Sequence, residues 1–218
     1  MSATSGQGTV GVLLAGGQSR RMFAEATGQG DKGLLDLGGR PMISHVIERL
    51  APQVASLVVN ANGDPARFEL FGLPVVADTL GGYVGPLAGV LAGLRWAVAN
   101  RPGARYVVTV STDAPFLPRD LVRRLAGALD GAPHGERIAL ARSGGHLHPV
   151  IGLWPVALAD DLETALRDGV RKVLAWTDRH GTLGVDFADE IVSGHAVDPF
   201  FNANTPAELE EARRLVDF

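Results

Sequence analysis

The amino-acid sequence predicts a three-layer α/β fold, in which helices cover both faces of a mostly parallel sheet. Between Thr9 and Leu129, short apolar runs alternate with segments whose apolar residues recur at helical spacing. A chain of 218 residues is long enough for one such domain with a substantial core, and it is short for two. Because parallel strands need crossover connections, the alternating order indicates that most strands run in one direction.

Four of the apolar runs have the length and composition of buried parallel strands. These predicted strands are Thr9–Ala15, Ser56–Asn60, Leu73–Asp78 and Tyr106–Val110. Helices are predicted between them, because apolar residues there follow the helical period and proline stands near several of the starts. The predicted helix starts lie near Pro41, after Asp64-Pro65, near Gly85-Pro86 and before Leu121.

The second half of the chain has a less regular pattern. Arg137–Ala141 and His148–Trp154 flank the turn sequence SGGHL, which predicts a hairpin. A further strand is predicted in TLGVDF, and a last helix follows it with Thr205 as N-cap and Glu208 at N3. The helices predicted before that strand are Val156–Asp168 and Val170–Thr177.

Composition and charge exclude several classes of function. The net charge is −4, so duplex nucleic acid is not an expected partner, although a local pocket can still bind an anionic small molecule. The chain contains no cysteine, which removes disulfides, thiolate metal ligands and cysteine nucleophiles. The N-terminal residues lack a signal-peptide pattern and no apolar run approaches a membrane span, so we expect a cytoplasmic protein without membrane contact.

Glycine-rich and polar stretches follow each of the four predicted parallel strands. They are LAGGQSRRM, NANGD, ADTLGGYVGP and STDAPF. Ligands of doubly wound sheets bind beyond the carboxyl ends of the strands. The shared location of the four stretches therefore predicts a small-molecule site at this edge of the sheet.

The first stretch has the residue types of a phosphate site. Gly16 and Gly17 let backbone N–H groups approach phosphate oxygens closely, and Arg20 and Arg21 offer charge-assisted hydrogen bonds. Lys32, in the sequence DKG, supplies a compact cation. A solvated glycine turn with basic surface residues is the alternative. The stretch matches neither the Walker loop nor the GxGxxG fingerprint, so the common nucleotide folds are disfavoured.

The polar residues at the other strand ends allow two interpretations each. Asp113 is a natural Mg²⁺ ligand beside a triphosphate, or the start of an Asx turn. Asp78 can recognise a base or ribose edge, or cap the next turn. Asn60 and Asn62 are ordinary turn residues by themselves. His148, on an apolar strand, has the pattern of a packed and hydrogen-bonded side chain.

Together these stretches resemble the molybdenum cofactor guanylyltransferases, within a wider group of nucleotidyltransferases that open with a LAGG or LAAG-x-x-x-RM loop. The resemblance extends from residue 12 to about residue 209. The opening loop identifies only the wider group, whereas its combination with DKGLL, GPLAG and NxNTP is more specific. The matching pieces are LLAGGQSRRM, DKGLLDLGGRPM, VVNAN, VVADTLGGYVGPLAG, STDAPFLP, HPVIGLW and NANTPAEL.

The resemblance implies a single Rossmann-like domain of nucleotidyltransferase type over residues 1–218. Its N-terminal half would bind GTP and its C-terminal half molybdopterin. The implied reaction transfers GMP from Mg·GTP to the terminal phosphate of molybdopterin, giving a guanine dinucleotide cofactor and pyrophosphate. The implied partners are GTP, molybdopterin and, transiently, proteins that make or receive the cofactor.

Carried over residue by residue, the resemblance implies three groups of site residues. Those at the nucleotide would be Leu14, Ala15, Gly16, Gly17, Lys32, Asn60, Asp78 and Asp113. The catalytic residues would be Lys32, Asp113 and Arg21, with Asp113 also holding Mg²⁺. Those at molybdopterin would be His148, Arg171, Asn202 and Asn204.

Several alternatives remain open at the level of sequence. A molybdopterin cytidylyltransferase or a sugar-phosphate nucleotidyltransferase would share the opening loop, and a non-catalytic nucleotide-binding module belongs to another class. Gly17 favours guanine, because relatives often have LAAG at this point. The absence of a hexapeptide β-helix pattern argues against bifunctional sugar enzymes. Lys32 and Asp113 together argue against a pure binding module.

One departure from the family pattern concerns the spacing before Lys32. The segment Phe23–Gly30 lengthens the compact RMG-x-DK spacing of the family by several residues. Gly28 and Gly30 would allow this segment to loop outward. The position of Arg21 relative to Lys32 therefore does not follow from the resemblance.

Overall fold

A seven-stranded sheet forms the centre of the computed structural model, which describes residues 8–16, 30–81, 85–130 and 137–216. The order across the sheet is β5-β4-β1-β6-β8-β7-β9. Its strands in chain order are β1 (Thr9–Leu14), β4 (Ser56–Asn60), β5 (Val75–Val76), β6 (Tyr106–Ser111), β7 (Ala139–Ser143), β8 (His146–Pro155) and β9 (Leu183–Asp186). Two small hairpins lie apart from the sheet: β2 (Asp36–Leu37) with β3 (Arg40–Pro41), and β10 (Glu190–Val192) with β11 (His195–Val197).

Helices connect most of these strands. The α-helices are α1 (Met42–Leu50), α2 (Pro86–Asn100), α3 (Leu121–Leu129), α4 (Ala159–Arg167), α5 (Val173–Thr177) and α6 (Pro206–Val216). Short 3-10 turns are Lys32–Leu34, Ala51–Gln53, Pro65–Phe71, Val156–Leu158 and Asp178–His180. Within the described ranges, no helix is long and apolar enough to cross a membrane.

The predicted mostly parallel sheet is confirmed. β1 pairs in parallel with β4 and β6, β4 with β5, and β7 with β9. The predicted hairpin joins β7 to β8, which are antiparallel, and β8 also runs antiparallel to β6. The third predicted strand is much shorter than Leu73–Asp78 and retains only Val75–Val76. Sequence periodicity did not indicate the two small hairpins, whose strands have only two or three residues each.

Each face of the sheet is covered by its own apolar layer, as the three-layer prediction requires. Leu13 belongs to a buried cluster with residues of α1 and α3. Its neighbour Val12 belongs to a second cluster with residues of α2 and α4. Because successive side chains of a strand point to opposite faces, the apolar run of β1 supplies both layers.

A third apolar cluster packs α6 against the β2–β3 hairpin and the start of α1. Its buried members include Leu37, Met42, Phe116 and Leu209. The turn at residues 32–34 and the segment before α6 are thereby brought to the same side of the sheet. Lys32 and Asn204, which lie 172 positions apart in the sequence, form a hydrogen bond there.

The predicted N-cap of the last helix is confirmed. The N–H of Glu208 donates to Oγ1 of Thr205 at 3.3 Å, and the Thr205 hydroxyl donates to the Glu208 carboxylate at 2.9 Å. The same carboxylate accepts the backbone N–H of Asn204 at 2.9 Å. This capping box therefore fixes the backbone of Asn204 as well as the helix start.

Helix α2 lies directly on β1, and Gly93 makes that contact possible. A Cβ atom at Gly93 would lie 2.6 Å from Cγ2 of Val12, which is too close without movement of the helix or the strand. Gly93→Ala is therefore expected to lower the free energy of unfolding by about 1–3 kcal/mol, measured by urea denaturation.

Gly127→Ala is the matched control for this prediction. Gly127 is exposed in α3, and a Cβ atom there would meet no atom within 4 Å. This substitution is expected to raise the stability by about 0.5–1 kcal/mol, because alanine has less backbone entropy to lose. Equal effects at the two positions would contradict the close-packing explanation.

Candidate active site

The carboxyl ends of β4, β1 and β6 lie at the same level of the sheet. Leu14 pairs with Asn60 on one side and with Ser111 on the other. The chain runs outward from β1 to β4 and β5 and then returns to the other side of β1 as β6. Ligands of open α/β sheets bind where the strand order reverses in this way, so a site is expected beyond Leu14.

An open cleft of about 170 Å³ lies at this position. Strand ends, the start of α2 and part of β8 line it, through Leu14, Gly16, Asn60, Asp78, Gly85, Pro86, Gly89, Ser111 and Val150. The structure thus brings four of the predicted nucleotide-binding residues together. A fifth, Ala15, is buried next to them and donates its N–H to the backbone oxygen of Asn60 at 2.9 Å.

The ammonium group of Lys32 is held between two oxygen acceptors near Ser111. Its Nζ lies 3.1 Å from Oδ2 of Asp113 and donates a 2.7 Å hydrogen bond to Oδ1 of Asn204. Ser111 donates its hydroxyl proton to the other carboxylate oxygen of Asp113. Only 16% of the Lys32 side chain and 10% of the Asp113 side chain are exposed. This ion pair is therefore weakly screened by water, unlike a surface pair.

A close backbone contact places Lys32 beside Asp113. The 3-10 turn at Lys32–Leu34 is closed by a 3.0 Å bond from the N–H of Leu34 to the oxygen of Asp31. A Cβ atom at Gly33 would lie 2.7 Å from Cβ of Thr112, the residue before Asp113. The missing side chain at position 33 therefore permits the turn to pack against the end of β6.

Asparagines fix the carboxylate of Asp78 on the β4 side of the cleft. Asn60 donates to Oδ1 of Asp78 at 3.0 Å and to the backbone oxygen of Val76 at 3.2 Å. Asn62 donates to Oδ2 of Asp78 at 2.8 Å and accepts the Asp78 N–H at 2.9 Å. Asn60 and Asn62 are thus more than turn residues, because they orient an acidic group at the cleft.

Helix α2 approaches the base of the cleft through another glycine. A Cβ atom at Gly89 would lie 2.4 Å from Oδ1 of Asn60 and 2.7 Å from Cδ2 of Leu14. At Gly16, by contrast, a Cβ atom would meet nothing within 4 Å, and the residue is exposed. The exposed backbone at Gly16 is consistent with the predicted approach of a ligand to this loop.

His148 is a packed and hydrogen-bonded residue, as its position on an apolar strand predicts. Its Nε2 lies 2.7 Å from Oγ of Ser143, which itself donates to Oδ1 of Asp198 at 2.8 Å. Since the Ser143 proton points to Asp198, Nε2 of His148 is the donor and Nδ1 is left as an acceptor. The imidazole also lies 4.7 Å from the Phe200 ring, centroid to centroid. Burial lowers the pKa of His148, so the ring is neutral at pH 7.

The other predicted molybdopterin residues occupy different surroundings. Asn204 contacts Lys32 and so belongs to the Lys32–Asp113 centre. Asn202 has a buried Oδ1 atom that lacks a hydrogen-bond partner within the described residues. The Arg171 guanidinium donates to the backbone oxygens of Leu166 and Val170 at 2.7 and 2.9 Å. None of these hydrogen bonds joins Arg171 to the other three residues.

Part of the predicted site lies outside the described residues. Gly17, Arg20 and Arg21 are in the undescribed segment 17–29, and so is the inserted segment apart from Gly30. The predicted phosphate contacts of the two arginines remain predictions.

The structure adds site residues that sequence reasoning did not select. Ser111 was the first residue of a noted stretch, STDAPF, and its hydroxyl holds Asp113. Gly89 and Val150 line the cleft but look like ordinary helix and strand residues in the sequence. Ser143 and Asp198 carry no local signal, because their hydrogen bond spans 55 positions.

Asp113 is a residue that could hold a metal ion beside the cleft. Within residues 8–16, 30–81, 85–130 and 137–216, no three His, Cys, Asp or Glu side chains group closely enough to hold one. Mg²⁺ commonly binds through one or two carboxylates, with water and substrate phosphates completing its shell. A carboxylate has about four acceptor positions, of which Lys32 and Ser111 occupy two, so Asp113 fits a cation shared with a phosphate-bearing ligand.

Comparisons of the sequence with known proteins agree with this geometry. The pattern of the MobA-like NTP transferase domain matches residues 11–182. A molybdenum cofactor guanylyltransferase of Bradyrhizobium sp. (strain ORS 278) is 50% identical over 216 residues, which cover 99% of this chain and 96% of the relative. Another, from Mesorhizobium japonicum, is 48% identical over 207 residues, 94% of this chain and 95% of the relative.

Solved structures share the fold. The molybdopterin-guanine dinucleotide biosynthesis protein A of Archaeoglobus fulgidus has a TM-score of 0.68 and 23% identity, covering 94% of this chain and 97% of its own. The 4-diphosphocytidyl-2C-methyl-D-erythritol synthase of Anaerococcus prevotii has a TM-score of 0.67 and 11% identity, with 95% of each chain covered. Proteins named for different nucleotides thus share this fold, and the fold alone does not select the base.

The near-complete coverage by relatives of about half-identical sequence decides the family. The chain belongs to the molybdenum cofactor guanylyltransferases within the MobA-like NTP transferase family, and it is a nucleotidyltransferase of α/β fold.

Proposed function

We propose that the protein transfers GMP from a divalent-metal complex of GTP to the terminal phosphate of molybdopterin, releasing pyrophosphate. The observation that carries this proposal is the Lys32–Asp113–Asn204 cluster beside the cleft at the strand ends. We propose further that residues 1–218 act as one domain, with the nucleotide at the β4–β1–β6 edge and the acceptor near the C-terminal half.

The nucleotide end of the cleft has acceptor groups for the nucleoside. The Asp78 carboxylate is held rigidly by Asn60 and Asn62, and it lines the cleft. A carboxylate that is already fixed loses little conformational entropy when it accepts hydrogen bonds from a base or ribose. The backbone of Leu14, Ala15 and Gly16 would lie along the nucleotide toward its phosphates, with Gly17 following.

The phosphate end requires neutralisation of charge rather than a strong base. The attacking group is already a phosphate anion, so the reaction needs alignment and electrostatic stabilisation at the α-phosphate. Lys32 would contact the phosphates, and Arg21 would add a second cation. Mg²⁺ bound at Asp113 would supply Lewis-acid stabilisation of the phosphate oxygens.

The acceptor end is proposed to include His148, Asn202 and Asn204, with Arg171 at its edge. The neutral His148 presents Nδ1 as an acceptor, and the buried Oδ1 of Asn202 has no hydrogen-bond partner among the described residues. Pterins carry several N–H donors, which such acceptors can bind. Asn204 contacts Lys32, so it would connect the acceptor end with the phosphates. Transient contact with proteins that make or receive the cofactor would follow from this role.

The proposed function is tested with a nucleotide panel. Purified protein, Mg²⁺ and molybdopterin are incubated with GTP, CTP, ATP or UTP, and pyrophosphate release is followed together with the mass of the pterin product. We expect turnover with GTP and a product increased by one GMP. Turnover with CTP instead of GTP would identify a cytidylyltransferase. Binding of a nucleotide with no pyrophosphate release from any of the four nucleotides would favour a binding module.

Lys32→Met is expected to lower kcat by about a hundredfold, because a preorganised cation is lost where charge develops in the transition state. The variant is assayed with saturating GTP and molybdopterin. Lys172→Met serves as the control, since Lys172 is exposed and has no hydrogen-bonding or ionic contact within the described residues. A Lys32→Met enzyme with wild-type kcat would show that Lys32 does not act on the phosphates.

His148→Gln is expected to raise the KM for molybdopterin by about twofold to tenfold and to leave the KM for GTP unchanged. This range is the net free energy of one hydrogen bond, about 0.5–1.5 kcal/mol, converted to affinity. His146→Gln is the matched control, because His146 lies on the same strand and is exposed. An unchanged KM for molybdopterin, or equal changes for both substrates, would contradict the acceptor role of His148.

A further inference from the structure

Arg67 connects two segments of the site without belonging to the cleft lining. It lies in the 3-10 turn Pro65–Phe71, after β4, and 28% of its side chain is exposed. Its Nε donates to Oδ2 of Asp31 at 2.5 Å, Nη1 to the backbone oxygen of Asp64 at 2.5 Å, and Nη2 to the backbone oxygen of Asn62 at 2.7 Å. Each of the three guanidinium nitrogens therefore has an acceptor.

The Asp31 end of this connection leads to Lys32. Asp31 is only 15% exposed at its side chain, and its backbone oxygen closes the 3-10 turn that carries Lys32. Arg67 thus holds the residue immediately before the phosphate-facing lysine. The contact between Arg67 and Asp31 lies at the N-terminal side of the turn Lys32–Leu34.

The Asn62 end leads to the nucleoside side of the cleft. Arg67 binds the backbone oxygen of Asn62, and the Asn62 side chain makes two hydrogen bonds with Asp78. Arg67 therefore orders the loop from which Asp78 is oriented. Its planar guanidinium suits this role, because it can donate in several fixed directions at once.

We infer that Arg67 is a positioning residue that holds Lys32 and Asp78 at a fixed separation across the nucleotide site. The inference rests on the proposed function, in which Lys32 contacts the phosphates and Asp78 the nucleoside. A nucleotide spans both ends, so the two groups bind it well only at a matching distance. Small misplacements of such groups cost about ten- to a hundredfold in activity.

The two contacts of Arg67 predict separable effects on catalysis and binding. Asp31→Asn weakens only the Lys32 end, so it should lower kcat with little change in the Kd of Mg·GTP. Asn62→Ala weakens only the Asp78 end, so it should raise the Kd with little change in kcat. Arg67→Gln should do both, each by about tenfold, and its melting temperature separates these effects from loss of fold.

Double variants test whether Arg67 acts through these partners. In the Asp31→Asn background, Arg67→Gln should lower kcat no further, and in the Asn62→Ala background it should raise the Kd no further. Arg67→Lys keeps an ion pair with Asp31 but cannot bind both carbonyls, so it should restore kcat more than the Kd. Kd values come from calorimetry and kcat from pyrophosphate release.

Arg95→Gln is the control for loss of a partly exposed ion-paired arginine. Arg95 is 32% exposed and pairs with Asp160 and Glu163 on α4. The Arg95→Gln substitution should leave both kcat and the Kd of Mg·GTP unchanged. Fully additive double variants, or an Arg67→Gln enzyme that is folded with wild-type kcat and Kd, would overturn the inference.

The outcome for the wild-type protein distinguishes this inference from the proposed function. If the wild-type transfers GMP and the Arg67 variants behave like Arg95→Gln, only the inference fails. If the wild-type shows no transfer with any nucleotide, the proposed function fails. In that case, the coupling between Arg67 and Asn62 is still tested by comparing the nucleotide Kd of the single and double variants.

Discussion

The ion pair between Lys32 and Asp113 is the interaction on which the rest of the site depends. A largely buried ammonium group is costly unless an opposite charge and further acceptors compensate it. Asp113 supplies the charge and Asn204 the second acceptor. Three distant parts of the chain must therefore meet at one point, which explains why Gly33 packs on Thr112 and why a capping box orders the start of α6.

Strand register creates the other half of the site. Leu14 lies between Asn60 and Ser111, so the ends of three parallel strands offer their polar residues at one level. The strand order reverses at β1, which is where open α/β sheets form a crevice for ligands. Close helix contacts at Gly89 and Gly93 keep α2 against this edge, so the start of α2 forms part of the cleft wall.

The sequence predicted the fold class well, because apolar periodicity and the glycines and prolines that mark the ends of helices and strands are local signals. It also predicted that polar stretches would converge at one edge of the sheet, where the structure has a cleft, because the ends of parallel strands lie together. It could not predict partners such as Ser143 and Asp198, whose contact depends on packing between distant segments. Very short strands were missed for the related reason that tertiary contacts, rather than propensity, stabilise them.

The partners of Lys32 also explain how its positive charge can be stable in a partly buried position. Asp113 neutralises Lys32, so neither charge is left uncompensated in a partly buried position. In the proposed reaction, a nucleotide that arrives with a divalent cation would offer each of them a new partner, the phosphate for Lys32 and the metal for Asp113. Two new charge pairs would replace the one that is broken, so neither charge would be left uncompensated. A neutral side chain at either position would remove this balance and leave its partner unpaired.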